Sequence, residues 1–230
     1  MRRWPFAWTH TCRLVGWLPS AGSAVAVMVG LARGASVTGY GDVSPGVRVA
    51  EVIAPLVFGL QSAFLFSPDG EPPLELWLAC PRPLPWIVWE RWLVLIGLQG
   101  GMTLACSLIA QVLPNVAEGL SIAITRWLAP CLSIGGVAIL TTLLTRQGVM
   151  GALLATLLWC GMLLGGDALI VRWPFLWPIH IYLQPQSMLH TVYALNRAGL
   201  MLAGLALTAM AARLTRDEER MLGVRPMVKR

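Results

Sequence analysis

Residues 127–171 read WLAPCLSIGGVAILTTLLTRQGVMGALLATLLWCGMLLGGDALIV, two apolar runs parted only by Arg146 and Gln147. A helix rises 1.5 Å per residue, so about 20 apolar residues cross a hydrocarbon core of about 30 Å. Both runs reach that length, and a two-residue break leaves no room for anything but a tight turn between antiparallel helices. This stretch therefore reads as a transmembrane helical hairpin.

Working outward, the same pattern recurs at Leu14–Ala32, Val49–Phe66, Trp92–Val112 and Val192–Leu214. With Trp127–Thr145 and Gly148–Val171 these make six expected spans. The second and fourth carry Pro55 and Pro130, which membranes tolerate because neighbouring helices can satisfy the freed carbonyls. Arg2 and Arg3 resemble the start of a signal peptide, but the first run is longer than a typical signal core, so it is read as a span. No repeat, linker or low-complexity stretch interrupts residues 1–230, which read as one transmembrane domain.

Composition agrees. Residues are 57% hydrophobic and only 12% charged, with a mean hydropathy of +0.68, where soluble domains carry about a quarter charged residues. The formal charge of +6 is not gathered into a basic face interleaved with aromatics, so no nucleic-acid partner is expected. The charge instead fixes topology. With both termini inside, only Arg33, Arg48, Arg126, Arg172 and Arg197 of the 17 basic residues fall outside. That asymmetry orients the chain N-in and C-in.

Several chemistries are excluded. The five cysteines stand singly, without CxxC pairs or histidines at ligand spacing, so neither a disulfide framework nor a metal site is expected. A phosphate loop needs GxxxxGK[ST], and the sole lysine is Lys229, so the chain holds no ATP site of its own. GxSxG and HExxH motifs are absent, and the chain is read as non-catalytic. Asp167 is the acid that stands out deep in an apolar run. It reads either as a contact in a transport pathway or as a carboxylate near the outer interface, close to water and Arg172. Gly97 with Gly101, and Gly161 with Gly165, put small residues four apart, for packing within the chain or for a dimer seam.

Two interfacial pieces complete the reading. The opening MRRWPFAWTHTCR mixes arginine with Trp4, Phe6 and Trp8, the composition of an amphipathic helix lying in the headgroup plane. Trp173–His190, WPFLWPIHIYLQPQSMLH, is too apolar for a free loop and too broken for a span. It reads as an outer-leaflet helical re-entry anchored by Trp173, Trp177 and Tyr182.

Between the second and third spans lies a polar, proline-punctuated segment. SPDG at 67–70 is a turn. Glu71, Pro72 and Pro73 follow, then LELWLACPRPLPWIVWER at 74–91. Prolines are tolerated in a helix's first turn, and Leu74–Cys80 makes about two turns, too short to persist without packing.

This segment resembles the cytoplasmic motif of ABC-2 type transporter permeases. There an acidic stretch precedes a Leu-Glu-Leu-x-Leu core, a proline follows, and a basic residue opens the third span. The matching residues here are Leu74, Glu75, Leu76, Leu78, Pro81 and Arg91. Pro72 and Pro73 stand where the family usually has Gly-Thr. The six spans, the amphipathic start and the re-entry before the last span are similar too.

The resemblance implies the permease half of an exporter in the bacterial inner membrane. The segment would be a coupling helix in the groove of a separate ATPase, present in two copies that bind ATP and magnesium. Glu71, Glu75 and Arg82 would pair with charges on that ATPase while Leu76, Trp77 and Leu78 fill its groove. Two permease halves, identical or related, would enclose a path lined by the first, second and fifth helices. That path is expected to be apolar, with Asp167 its one deep charge, and to suit a lipid, peptide or hydrophobic drug. Alternative readings are a subunit exporting heme for cytochrome assembly, or a non-transporting scaffold or sensor that recruits a cytoplasmic protein.

Overall fold

The apolar runs become helices wherever the chain is described. The computed structural model describes residues 17–35, 45–67, 84–111, 120–182 and 190–215. The helices are α1 (Trp17–Ala35), α2 (Pro45–Leu65), α3 (Leu84–Leu95), α4 (Gly101–Gln111), α5 (Leu120–Thr145), α6 (Gly148–Arg172) and α7 (His190–Leu214). A π-helical stretch, Ile96–Gly100, welds α3 to α4, and a 3₁₀ turn, Pro174–Ile179, follows α6. Among the described residues there is no strand. Four rods are long and apolar enough to cross a membrane: the α3–α4 rod, α5, α6 and α7. The shorter apolar stretches Pro19–Val29 and Glu51–Leu65 lie in α1 and α2. The amphipathic opening expected before Leu14 falls outside the described residues, as does most of the segment after Ser67.

α5 is the axis of the bundle. It packs against α2, α4, α6 and α7. Of its most apolar window 67% is buried, against 22% for α6, so α5 is central and α6 peripheral. Phe58, Trp92, Trp127, Leu132 and Ile139 form the core where α2, α3 and α5 meet. Helices gain little from the hydrophobic effect inside lipid, so close contact must hold them together. α5 and α7 achieve it through glycine. A Cβ placed on Gly136 would stand 2.7 Å from the Gly204 carbonyl oxygen, and one on Gly204 would strike the backbone of Leu132. The glycines singled out by their spacing behave differently: a Cβ added at Gly97, Gly101, Gly161 or Gly165 would meet no neighbouring atom within 4 Å. Within the described residues, packing does not use them.

Two helices start earlier than their apolar runs. α3 begins at Leu84 rather than near Trp92, and α5 at Leu120 rather than near Trp127. The runs end at Glu90-Arg91 and at Arg126, charges that would stop a lipid-facing span. Here all three side chains are buried against protein, so the helix passes through them.

Pro55 and Pro130 lie inside α2 and α5 as expected. A proline has no N–H, so the helical bond to the carbonyl four residues back is not made at Glu51 and at Arg126.

Candidate functional site

Two ends of the bundle carry its structured polar chemistry. At one end the described chain brackets the segment that resembles a coupling helix. α2 closes at Leu65, and Arg91, about two turns into α3, donates from Nη1 to the Leu65 carbonyl at 3.0 Å. This bond satisfies one of the carbonyls a helix leaves over at its C-terminus. Ser67 Oγ accepts from the backbone N–H of Gly148 at 3.1 Å. Gly148 opens α6 two residues after Arg146, whose φ of 60° is the left-handed turn that ends α5. The α5–α6 hairpin is thereby tied to the exit of α2, and α3 is tied to the last turn of α2.

Of the residues singled out by sequence, Arg91 is thus 8% exposed and bonded within the chain. Glu71, Leu74, Glu75, Leu76, Trp77, Leu78, Pro81 and Arg82 lie outside the described residues. Asp167 is in α6, with its side chain outside the described set.

The opposite end holds a cluster that the sequence reading missed. Glu51 of α2 faces two arginines, with Arg197 Nη2 at 3.2 Å from Oε1 and Arg126 Nε at 4.0 Å from Oε2. Both arginines are nearly inaccessible, at 2% and 1%, and the carboxylate is at 12%. Arg197 also donates Nη1 to the Ile181 carbonyl at 2.6 Å, and its guanidinium sits 4.9 Å from the centre of the Tyr193 ring. The neighbouring Asn196 points its amide N–H groups at the carbonyls of Trp177, Pro178 and His180, at 2.9 to 3.1 Å. α7 therefore clamps the 3₁₀ turn and its exit down onto the bundle. His180, 2% exposed, lies against Gly166, where any side chain would collide with the imidazole.

Trp159 adds a bond from Nε1 to the Val52 carbonyl at 2.8 Å. Burial is the main reason the Tyr182 phenol is pushed well above its ordinary pKa. The nearby Glu51 charge adds to the rise. Tyr182 stays neutral in this cap.

Beside Asp167, the charge expected deep in the path, this cluster adds three charged side chains packed within the bundle at its end. Glu51 falls near the start of its apolar run, and Arg126 and Arg197 are among the charges assigned to the outer side. All three are inside helices; both guanidinia are buried and the Glu51 carboxylate between them is nearly so, at 12%. A signal was present in the sequence: Glu51 and Arg126 each precede a proline by four residues, which puts a charged side chain beside a carbonyl that needs a donor. Chemically the cluster is a charge-paired latch across α2, α5 and α7. No group of three His, Cys, Asp or Glu able to hold a metal occurs among the described residues. Compared with protein-family models, with curated proteins and with solved structures, the chain matches none.

Proposed function

We propose that the chain is the membrane subunit of an ATP-driven exporter of the ABC-2 permease type, moved by a separate ATPase that grips residues 71–83. One observation carries the reading. The segment that resembles a coupling helix is flanked by two ties, Ser67 to Gly148 and Arg91 to Leu65. A lever works only from a rigid base. Here force applied between those ties reaches α2, α3 and the α5–α6 hairpin together. Arg91 then transmits force within the permease, while Glu71, Glu75 and Arg82 meet the ATPase.

In this proposal six helices cross the bacterial inner membrane with both termini on the Ser67 side, α1 and α2 joining the four longer rods. The Glu51–Arg126–Arg197 latch and the 3₁₀ turn close the far side. Two such halves, or one with a related permease, form the working unit with two ATPases. The buried charges at the far end make the path less uniformly apolar than sequence alone implies, which suits an amphiphile with a polar head.

Affinity capture of the tagged chain from its native membrane tests the reading. The expected result is a stoichiometric P-loop ATPase that is lost in Glu75→Arg while membrane insertion is kept. Recovery without any such ATPase, or undiminished capture by Glu75→Arg, overturns it.

A further inference from the structure

A third polar cluster lies inside the Ser67 end, where α1 meets α2 and the π-helical stretch. Ser20, Ser23, Gln61, Gln99 and Thr103 are all buried there, Ser20 and Gln99 completely. Gln61 Nε2 donates to Ser20 Oγ at 2.8 Å, and Gln99 Nε2 to Ser23 Oγ at 2.9 Å. Ser23 Oγ donates onward to the Ser20 carbonyl at 2.7 Å, and Thr103 Oγ1 to the Gln99 carbonyl at 2.8 Å. Each amide thus spends its N–H side on an α1 hydroxyl. The acceptors Gln61 Oε1 and Gln99 Oε1 are buried and receive no hydrogen bond among the described residues.

Such a seam is costly as it stands. A buried acceptor left unsatisfied forfeits its hydration with nothing in return, and a half-satisfied network is worse than an apolar one. The backbone is specialised as well. A π-helical turn is rare and concentrates at functional sites, and this one, Ile96–Gly100, contains Gln99. The two amides are held through their nitrogens by serines three residues apart on α1, which leaves two acceptor oxygens in one seam for a ligand that carries two donors. The charge of that ligand follows from its surroundings. None of the hydrogen bonds within the seam involves an ionised side chain. An ammonium would be buried there with no counter-charge in hydrogen-bond contact, which is strongly unfavourable. A neutral hydroxyl pays far less.

We propose that this seam is a binding site for an uncharged hydrogen-bond donor, the hydroxyl-bearing head of an amphiphile drawn from the leaflet at the Ser67 end. Gln61 and Gln99 accept from the head, and α1 moves aside to admit it. The site exists whether or not an ATPase drives the chain. Only its role as a cargo site rests on the exporter reading.

Native mass spectrometry of the full-length chain, released from detergent micelles, separates the two questions. The probes are a monoacylglycerol with two free hydroxyls, its dimethyl ether of nearly equal size, and a fatty amine. One monoacylglycerol per chain is expected, retained about tenfold or more over the diether, since two hydrogen bonds are lost with the hydroxyl protons. The double variant Gln61→Leu/Gln99→Leu is expected to abolish that preference while the chain still inserts, because it removes both acceptors from the seam. Should the double variant fail to insert, Gln61→Leu alone is expected to lose about half the discrimination on the logarithmic scale. Equal retention of the diether, tighter retention of the amine, retention of neither lipid (a seam that holds water only), or an intact preference in the double variant each overturns the proposal. A selective site in a chain that captures no ATPase would leave this inference standing and remove the exporter reading.

Discussion

Glu51 is the residue on which the far end turns, because its carboxylate is the counter-charge to two guanidinia that are themselves nearly inaccessible. Breaking one partner out of a buried ion pair costs about 3–5 kcal/mol, most of it the penalty of the charge left behind. Glu51→Leu is therefore expected to lower thermal stability in detergent by about that amount. The triple change Glu51→Leu/Arg126→Met/Arg197→Met should recover much of the loss. A triple variant as unstable as the single one would mean that the charges are not coupled. Asn196 is a narrower case. Its one amide group serves three carbonyls, so Asn196→Leu strands acceptors in the 174–182 stretch at a cost of about 1–3 kcal/mol. Amide hydrogen exchange should rise in that stretch and stay unchanged in α5. None of this cluster is visible to a reading that scores residues one at a time, since Arg126 and Arg197 look like interfacial arginines until Glu51 is placed between them.

At the scale of elements, two kinds of glycine share one helix bundle and predict opposite outcomes. Gly204 lies where α7 touches the backbone of α5, so no rotamer relieves an added side chain. Gly204→Val is expected to separate α5 from α7 and cost about 3 kcal/mol, at the upper end for overpacking. Gly97→Ala and Gly161→Ala meet nothing within 4 Å, and removing a helical glycine stabilises by up to about 1 kcal/mol. Thermal unfolding of the three single variants checks the contrast. A destabilised Gly97→Ala that unfolds in step with protein concentration would instead show that a second subunit covers that face.

The positions of most helices were legible in the chain because apolar runs are what lipid selects. The glycines that pack were not, since spacing along one helix says nothing about which neighbour crosses it. Nor was the π-helical stretch. LIGLQGG, 95–101, has the glycines to permit it, but Gln99 finds its partner, Ser23, on another helix, 76 residues away in the chain.

For the whole molecule, the question is how far a push at one end travels. The bundle is tied most firmly along α5, which touches α2, α4, α6 and α7, and it is capped by charge pairs at the far end. α1 is held differently, on α2 and the α4 rod through a polar seam with two unsatisfied oxygens. A push entering between Ser67 and Arg91 should therefore displace α1 before it disturbs the α5–α7 core. Arg91→Met tests the path without touching the proposed ATPase surface. It removes the bond to the Leu65 carbonyl, so α3 can slip against the last turn of α2. If the exporter proposal holds, the variant captures its ATPase normally but loses most of the stimulation of ATP hydrolysis that cargo produces. The two ends of the lever are then separable: Glu75→Arg abolishes capture, and Arg91→Met keeps capture while abolishing coupling. Wild-type stimulation in the Arg91→Met complex would mean that force bypasses this tie, and would leave Ser67 and the α5–α6 hairpin as the remaining route.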